Sequence, residues 1–211
     1  MNGMSYNQTG GSGTRKGPVF NLLSSLINRA DIVCLQQTNL LEQELKQVEN
    51  ELEGTKVFGN CKEIRHAGVA LVIKNTVLDF YEAGETYVSK TEKGEGRILS
   101  IPFFPKEKYR SNYSSFRITG VYLTSGSGAS ALADRGSQLR EIAMIPKDTD
   151  FDFLGGDFNF ENEKITGGLK EAYEEMLNQR GLEECHQANN TFFAKNDLDI
   201  KKTRIDRWYT N

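Results

Sequence analysis

Short apolar runs alternate along this chain with amphipathic stretches. Met4 to Gln8 predicts a short strand, followed from Thr9 to Gly17 by a Gly/Ser/Thr loop that carries Arg15 and Lys16. A loop of this kind beside a strand end is a common seat of function. Val19, Leu22, Leu23, Leu26 and Ile27 recur at helical spacing up to Arg29, and Asp31-Ile32-Val33-Cys34-Leu35 is a continuous apolar run of strand length. A second helix is predicted over about Leu40 to Leu52. Runs rich in β-branched and aromatic residues then predict strands over Gly68 to Ile73, Val77 to Tyr81, Arg97 to Phe104 and Phe116 to Tyr122. Helical spacing returns from Ala131 to Ile145 and from about Gly168 to Arg180, on either side of a strand over Phe151 to Leu154, and two short strands close the chain.

Strands that arrive in runs, rather than in strict alternation with helices, predict an α/β fold of four layers. Two mixed β-sheets pack face to face with the helices outside. A doubly wound parallel sheet is the competing architecture. With 211 residues, 37% of them hydrophobic and 10% aromatic, the chain suffices for one substantial core, so residues 1–211 are expected to form a single domain. No apolar run approaches the roughly 20 residues that cross a bilayer, and the first residues lack the pattern of a cleaved leader. The expectation is therefore a soluble, intracellular protein away from membranes, with nothing to separate nucleus from cytoplasm.

The formal charge of −3 argues against a protein that coats nucleic acid through bulk positive charge, although a local basic groove is compatible with it. The richest basic stretch, Lys201-Lys202-Thr203-Arg204 with Arg207, reads as a solvated face more readily than as a phosphate clamp. Cys34, Cys61 and Cys185 are odd in number and widely spaced, which suggests core or surface thiols rather than a disulfide framework or a zinc site.

The most informative segment is Phe151-Asp152-Phe153-Leu154-Gly155-Gly156-Asp157-Phe158-Asn159-Phe160. A buried strand delivers a double glycine and then two polar side chains flanking one aromatic. On an extended backbone Asp157 and Asn159 would point to the same side, and the glycines would let a backbone or a phosphate approach closely. A carboxylate and an amide so placed can orient a water and contact a phosphoryl oxygen.

This segment resembles the Gly-Asp-Phe-Asn signature of the endonuclease/exonuclease/phosphatase, or DNase I-like, superfamily. Further segments resemble that family's landmarks in the same order. Ser5-Tyr6-Asn7 is similar to the first strand, whose Asn lies near the metal. Asp31 to Thr38 is similar to the segment that supplies the metal-binding Glu. Gly68 to Val72 and Gly96 to Leu99 are similar to the core strands that follow. Gly120-Val121-Tyr122 is similar to the strand ending in the Tyr that contacts the scissile phosphate, and Thr203 to Arg207 to the late strand with a catalytic-site Asp. The resemblance runs from Asn7 to Asp206. The Arg-Ile-Asp-Arg ending, with Thr191-Phe192 upstream, resembles most the abasic-endonuclease and non-long-terminal-repeat retrotransposon branch.

The resemblance implies a magnesium- or manganese-dependent phosphodiester hydrolase acting on nucleic acid, DNA more than RNA. Asn7 and position 37 would hold the metal. Asp157 would activate water, Asn159 and Tyr122 would contact the phosphate, and Asp206 would orient a His. Two departures qualify the expectation. Position 37 is Gln rather than Glu, and a neutral amide holds a hard cation less well than a carboxylate does. The family's closing Ser-Asp-His segment is not found, and His66 and His186 lie in other contexts, where structural or solvated roles suit them. The expectation is thus an impaired endonuclease. The alternative, from a different class, is a catalytically inactive relative that binds nucleic acid or a protein partner on the same face.

Overall fold

A computed structural model describes residues 3–7, 16–61, 67–186, 192–195 and 200–211, with side chains described over 23–61, 67–186 and 204–211. The first half runs β1 (Gly3–Asn7), α1 (Lys16–Arg29), β2 (Ile32–Gln36), α2 (Glu42–Glu51), β3 (Thr55–Asn60), β4 (Val69–Lys74), α3 (Asn75–Leu78), β5 (Tyr81–Ala83), β6 (Tyr87–Val88) and β7 (Ile98–Pro105). The second half adds β8 (Phe116–Tyr122), α4 (Ala129–Ala143), β9 (Phe151–Asp157), α5 (Gly167–Arg180), β10 (Glu183–Glu184), β11 (Phe192–Lys195), β12 (Ile200–Thr203) and β13 (Asp206–Thr210).

Two mixed sheets result. One has the order β1-β2-β4-β3, with β1 parallel to β2 and the other pairs antiparallel. The other has the order β10-β13-β9-β8-β7-β5, with β6 also on β7 and β8 parallel to β9. Strands β11 and β12 form a separate antiparallel pair. The period-2 alternation of β2 explains how its uninterrupted apolar run is used. Ile32 and Cys34 face the second sheet, where they join Leu71, Ile73, Leu99, Ile101, Phe103 and Ile118 in the inner core. Val33 and Leu35 face the opposite way, against Leu23, Ile27, Leu45 and Val48 of α1 and α2. On the far side, α4 and α5 cover the second sheet through Leu139, Ile142, Leu169 and Met176. The layers are helix, sheet, sheet, helix, as the strand grouping predicts. Among the described residues no helix is long and apolar enough to cross a membrane.

Several elements differ from the sequence expectation: β6 is additional, and four short strands rather than two follow α5. Val77 to Tyr81 is not a strand: Asn75–Leu78 makes one helical turn and the strand begins at Tyr81. The chain must leave the first sheet there and enter the second. The backbone N–H groups of Asn75, bonded to the Gly54 carbonyl (2.8 Å), and of Asp79, bonded to the Asn75 carbonyl (2.8 Å), make the turn that does so. The strand β3 carries too few apolar residues to stand out in the sequence and is defined by its pairing with β4.

Candidate active site

One row of residues crosses the second sheet at one end of its strands. Tyr122 is in register with Asp157 in the parallel pair β8–β9, and Asp157 with Asp206 in the antiparallel pair β9–β13. On the other side the Tyr122 N–H donates to the carbonyl of Arg97, just before β7 (2.8 Å). Residues in register share a face of the pleat, and Tyr122 belongs to the inner core, so the row faces the first sheet. From that sheet β1 and β2 bring Asn7 into register with Gln36. The side chain of Asn7 lies outside the described residues.

The double glycine of β9 is needed for packing rather than for a ligand. A Cβ on Gly155 would lie 2.4 Å from the Trp208 ring, and one on Gly156, whose φ is +143°, would lie 2.0 Å from the Val121 carbonyl oxygen. Strand β9 then ends at Asp157, and this changes the expected disposition of the two polar side chains. Asn159 takes φ +54° and folds back, donating from Nδ2 to the Leu123 carbonyl (2.8 Å) while its backbone N–H donates to Asp157 Oδ1 (2.8 Å). Asp157 and Asn159 are brought together by a reversal rather than by an extended strand.

Asp157 is 2% exposed, and its carboxyl is pushed up to about 7 by burial first and by the neighbouring charge of Asp206 second. The hydrogen bond from Asn159 and the charges of Arg207 and Arg135 pull the other way. Tyr122 is 6% exposed, and its phenol is pushed up mainly by burial, against the effect of the Arg97 guanidinium.

Three arginines pack about this row, and none was expected to belong to the site. Arg135 of α4 is buried and donates to the carbonyls of Asn159 (2.6 Å) and Gly126 (2.8 Å), which ties the loops after β8 and β9 together. Arg207 was expected on a solvated face but is 1% exposed. Its guanidinium lies over the rings of Phe160 (4.9 Å) and Phe158 (5.6 Å) and donates to the Phe160 and Arg204 carbonyls. Strand alternation was the available signal, since it puts Arg207 on the side of buried Tyr209 while Asp206 takes the other. Arg204 is half-buried and paired with Glu184 (3.1 Å). Lys201 and Lys202 have side chains outside the described residues. The third arginine, Arg97, has its guanidinium 5.0 Å from the centre of the Tyr122 ring.

Position 37 lies just past the end of β2 and is half-buried with φ +52°; its carbonyl accepts from Asn39 Nδ2 (3.1 Å). The side chain that β2 sends into the inter-sheet space is that of Gln36, fully buried. It donates from Nε2 to the Cys34 carbonyl (3.2 Å) and sulfur (3.0 Å), while its Oε1 has no partner among the described residues. Cys34 is a core thiol, pushed up to about 12 by burial. His186 is exposed beyond β10, and His66 lies outside the described residues.

No group of three or more His, Cys, Asp or Glu side chains that could hold a metal occurs among the described residues. The donors on offer are all oxygens: the two neighbouring carboxylates, Asp157 and Asp206, and, from the first sheet, the buried amide oxygen of Gln36, which has no hydrogen-bond partner among the described residues. Oxygen donors suit a hard divalent cation, and two repelling carboxylates suit a positive charge between them. The residues therefore fit magnesium or manganese in kind, with one anionic ligand fewer than a Glu at position 37 would supply.

No protein-family model matches the chain, and no curated protein matches it. Solved structures do. The catalytic domain of APE2 from Xenopus laevis is 17% identical with a TM-score of 0.72, the match covering all of this chain and 82% of that one. The AP endonuclease LMAP from Leishmania major is 13% identical with a TM-score of 0.69, covering 98% and 77%. The mannosyl-6-phosphatase Bt3783 from Bacteroides thetaiotaomicron is 16% identical with a TM-score of 0.64, covering 99% and 84%. The chain has the fold of the endonuclease/exonuclease/phosphatase, DNase I-like superfamily.

Proposed function

We propose that this protein is a divalent-metal-dependent phosphodiester hydrolase that acts on nucleic acid, DNA more than RNA, as an endonuclease of the abasic or retrotransposon type with weakened turnover. The observation that carries the reading is the row Tyr122–Asp157–Asp206, with Asn159 folded against Asp157, at one end of the second sheet's strands. The AP endonucleases among the similar structures support a nucleic-acid substrate. The mannosyl-6-phosphatase is the reminder that this fold also serves a phosphatase, so the substrate class rests on the site.

In this mechanism Asp157 takes the proton of the attacking water. Its carboxyl, pushed up to about 7, is poised for proton exchange near neutral pH, where general acid–base help contributes about 10²–10⁴-fold. Asn159 spends one amide hydrogen on the Leu123 carbonyl, which leaves the other for a phosphoryl oxygen. Tyr122 contributes its hydroxyl from the adjacent strand, and Asp206 sets a second carboxylate beside Asp157. A divalent ion held by Asn7, position 37 and the two carboxylates would supply charge stabilisation at the phosphoryl oxygens. Arg135 and Arg207 hold the Asp157–Phe160 segment in place.

The neutral amide at position 37 favours a second reading, in which the site binds nucleic acid, or a protein partner on the same face, without cleaving it. Both readings meet in one assay: cleavage of supercoiled plasmid and of an abasic-site oligonucleotide in magnesium and in manganese, with Asp157→Ala as control. Cleavage that disappears in the control supports hydrolysis. A folded protein that leaves both substrates intact removes the hydrolase and leaves the binding module.

A further inference from the structure

We propose that the cavity between β6, the start of β8 and the end of α4 binds a basic amino acid, its cationic groups received by Glu141 and Glu85 and its carboxylate by Lys90 and Arg117. The inference goes beyond the hydrolase reading and uses no residue of the row Tyr122–Asp157–Asp206.

Place and size come first. The cavity has a volume of about 560 Å³, within the range of about 300–1,000 Å³ that small-molecule sites occupy. Arg117 lines it from β8, and strand alternation puts Arg117 on the same face as Val121, under the helices, whereas Tyr122 faces the first sheet. The cavity and the row thus belong to opposite faces of the second sheet.

The wall is held in place by the chain itself. Tyr87 Oη donates to Glu141 Oε1 (2.7 Å) and Thr91 Oγ1 to Glu141 Oε2 (2.8 Å), while the Gly94 N–H donates to Thr91 Oγ1 (3.1 Å). The loop after β6 therefore fixes the carboxylate of α4 ahead of any ligand, which lowers the ordering cost of binding.

Charge selects the occupant. Both hydroxyl donors to Glu141 are neutral, and Glu141 has no ion pair among the described residues. Its charge is felt nearby: the Tyr87 phenol is pushed up by burial first and by Glu141 next. Glu85 and Lys90 are exposed on the same lining. Arg117 is 2% exposed; its Nη1 donates to Ser100 Oγ (3.0 Å) and its Nη2 to Asp148 Oδ1 (2.6 Å), but its Nε has no partner among the described residues. A buried donor left open calls for an acceptor, and a carboxylate without a counter-ion calls for a cation. The lining carries the acids Glu85, Glu141 and Asp148 against the cations Lys90 and Arg117, a surplus of one negative charge. A basic amino acid reverses that balance, with two cationic groups and one carboxylate. A divalent metal does not fit, because among the described residues no three acidic groups are placed to hold one. A phosphate would meet the surplus of negative charge.

The test is isothermal titration calorimetry of the full chain with L-lysine, with cadaverine, which lacks the carboxylate, and with L-glutamate, whose net charge is opposite. Lysine is expected to bind with a Kd below about 1 mM and cadaverine about tenfold or more weakly, with no binding of glutamate. Glu141→Gln keeps the size of the side chain and is expected to weaken lysine binding about tenfold or more. Lys90→Ala, at an exposed position where folding is not at stake, is expected to weaken it about threefold or more. Absence of saturable lysine binding overturns the proposal, as does unchanged affinity in both variants. Glutamate or cadaverine binding as tightly as lysine overturns it too, since neither carries the matching set of charges. The titrations need neither DNA nor a divalent ion, so failure of the hydrolase reading and failure of this one are separate results.

Discussion

Asp157 and Asp206 stand in register across the antiparallel pair β9–β13, two acids on one face of the pleat. Side chains directly opposite in such a pair have Cβ atoms about 5 Å apart, close enough for each charge to oppose ionisation of the other. The site is therefore built to receive positive charge or a proton.

The pair makes stability depend on pH in a defined direction. The folded-state pKa of Asp157, about 7, lies above the ordinary value of 3.8, so its contribution is fully present below the ordinary value and is lost as pH rises through about 7. Asp157→Asn does not ionise. In chelator, the stability of the Asn variant relative to the parent should rise by about 2–4 kcal/mol between pH 4 and pH 8. Urea unfolding of both proteins at the two pH values measures it, and a constant difference would show that Asp157 is an ordinary carboxylate.

Gly156→Ala should be among the most damaging single substitutions. The added Cβ would fall 2.0 Å from the Val121 carbonyl oxygen, a rigid backbone atom, at a φ of +143° that side chains rarely adopt. A loss of at least about 3 kcal/mol is expected, from steric conflict and backbone strain together. Thermal unfolding followed by circular dichroism is the measurement, and a melting temperature within a degree or two of the parent would contradict it.

Arg135 bridges two carbonyls from different loops, a geometry that a single ammonium does not reproduce. Arg135→Met should cost about 2–4 kcal/mol by leaving both carbonyls without this partner, and Arg135→Lys should restore less than half of that. Hydrogen exchange should show the loss of protection centred on residues 157–160. Uniform loss across the whole chain would instead mean that Arg135 is a general core contact.

Gln37→Glu restores the charged ligand that the family resemblance expects. Terbium luminescence or calorimetry with manganese should show divalent-ion affinity rising about tenfold or more. No change would mean that position 37 does not reach the cation, and buried Gln36 would become the better candidate.

The buried pair Arg180–Asp152 joins α5 to β9, and Arg180 Nη1 also donates to the Ile142 (3.1 Å) and Ile145 (2.8 Å) carbonyls at the end of α4. Asp152→Ala leaves that guanidinium buried beside carbonyls alone. A loss of about 3–5 kcal/mol is expected in chemical unfolding. A loss under about 1 kcal/mol would mean that the carbonyls alone satisfy Arg180.

The amino-acid sequence by itself determined the layers and the outline of the site. Continuous apolar runs such as Ile32–Leu35 must bury both faces, which requires sheets covered on each side. The Gly155-Gly156-Asp157-Phe158-Asn159 segment marks the end of the strand that carries the acid. Tertiary structure alone decided the rest. Whether Val77–Tyr81 was strand or turn depended on where the chain had to cross between sheets, and β3 exists because β4 pairs with it. That Asn159 reaches Asp157 through a reversal, and that Arg97, Tyr122, Asp157 and Asp206 form one row, depends on the register of four strands far apart in the chain. Local periodicity cannot specify such register. Nor could composition separate Arg207, buried against Phe158 and Phe160, from a solvated basic stretch, because burial of a charge is settled by the rings and carbonyls that surround it.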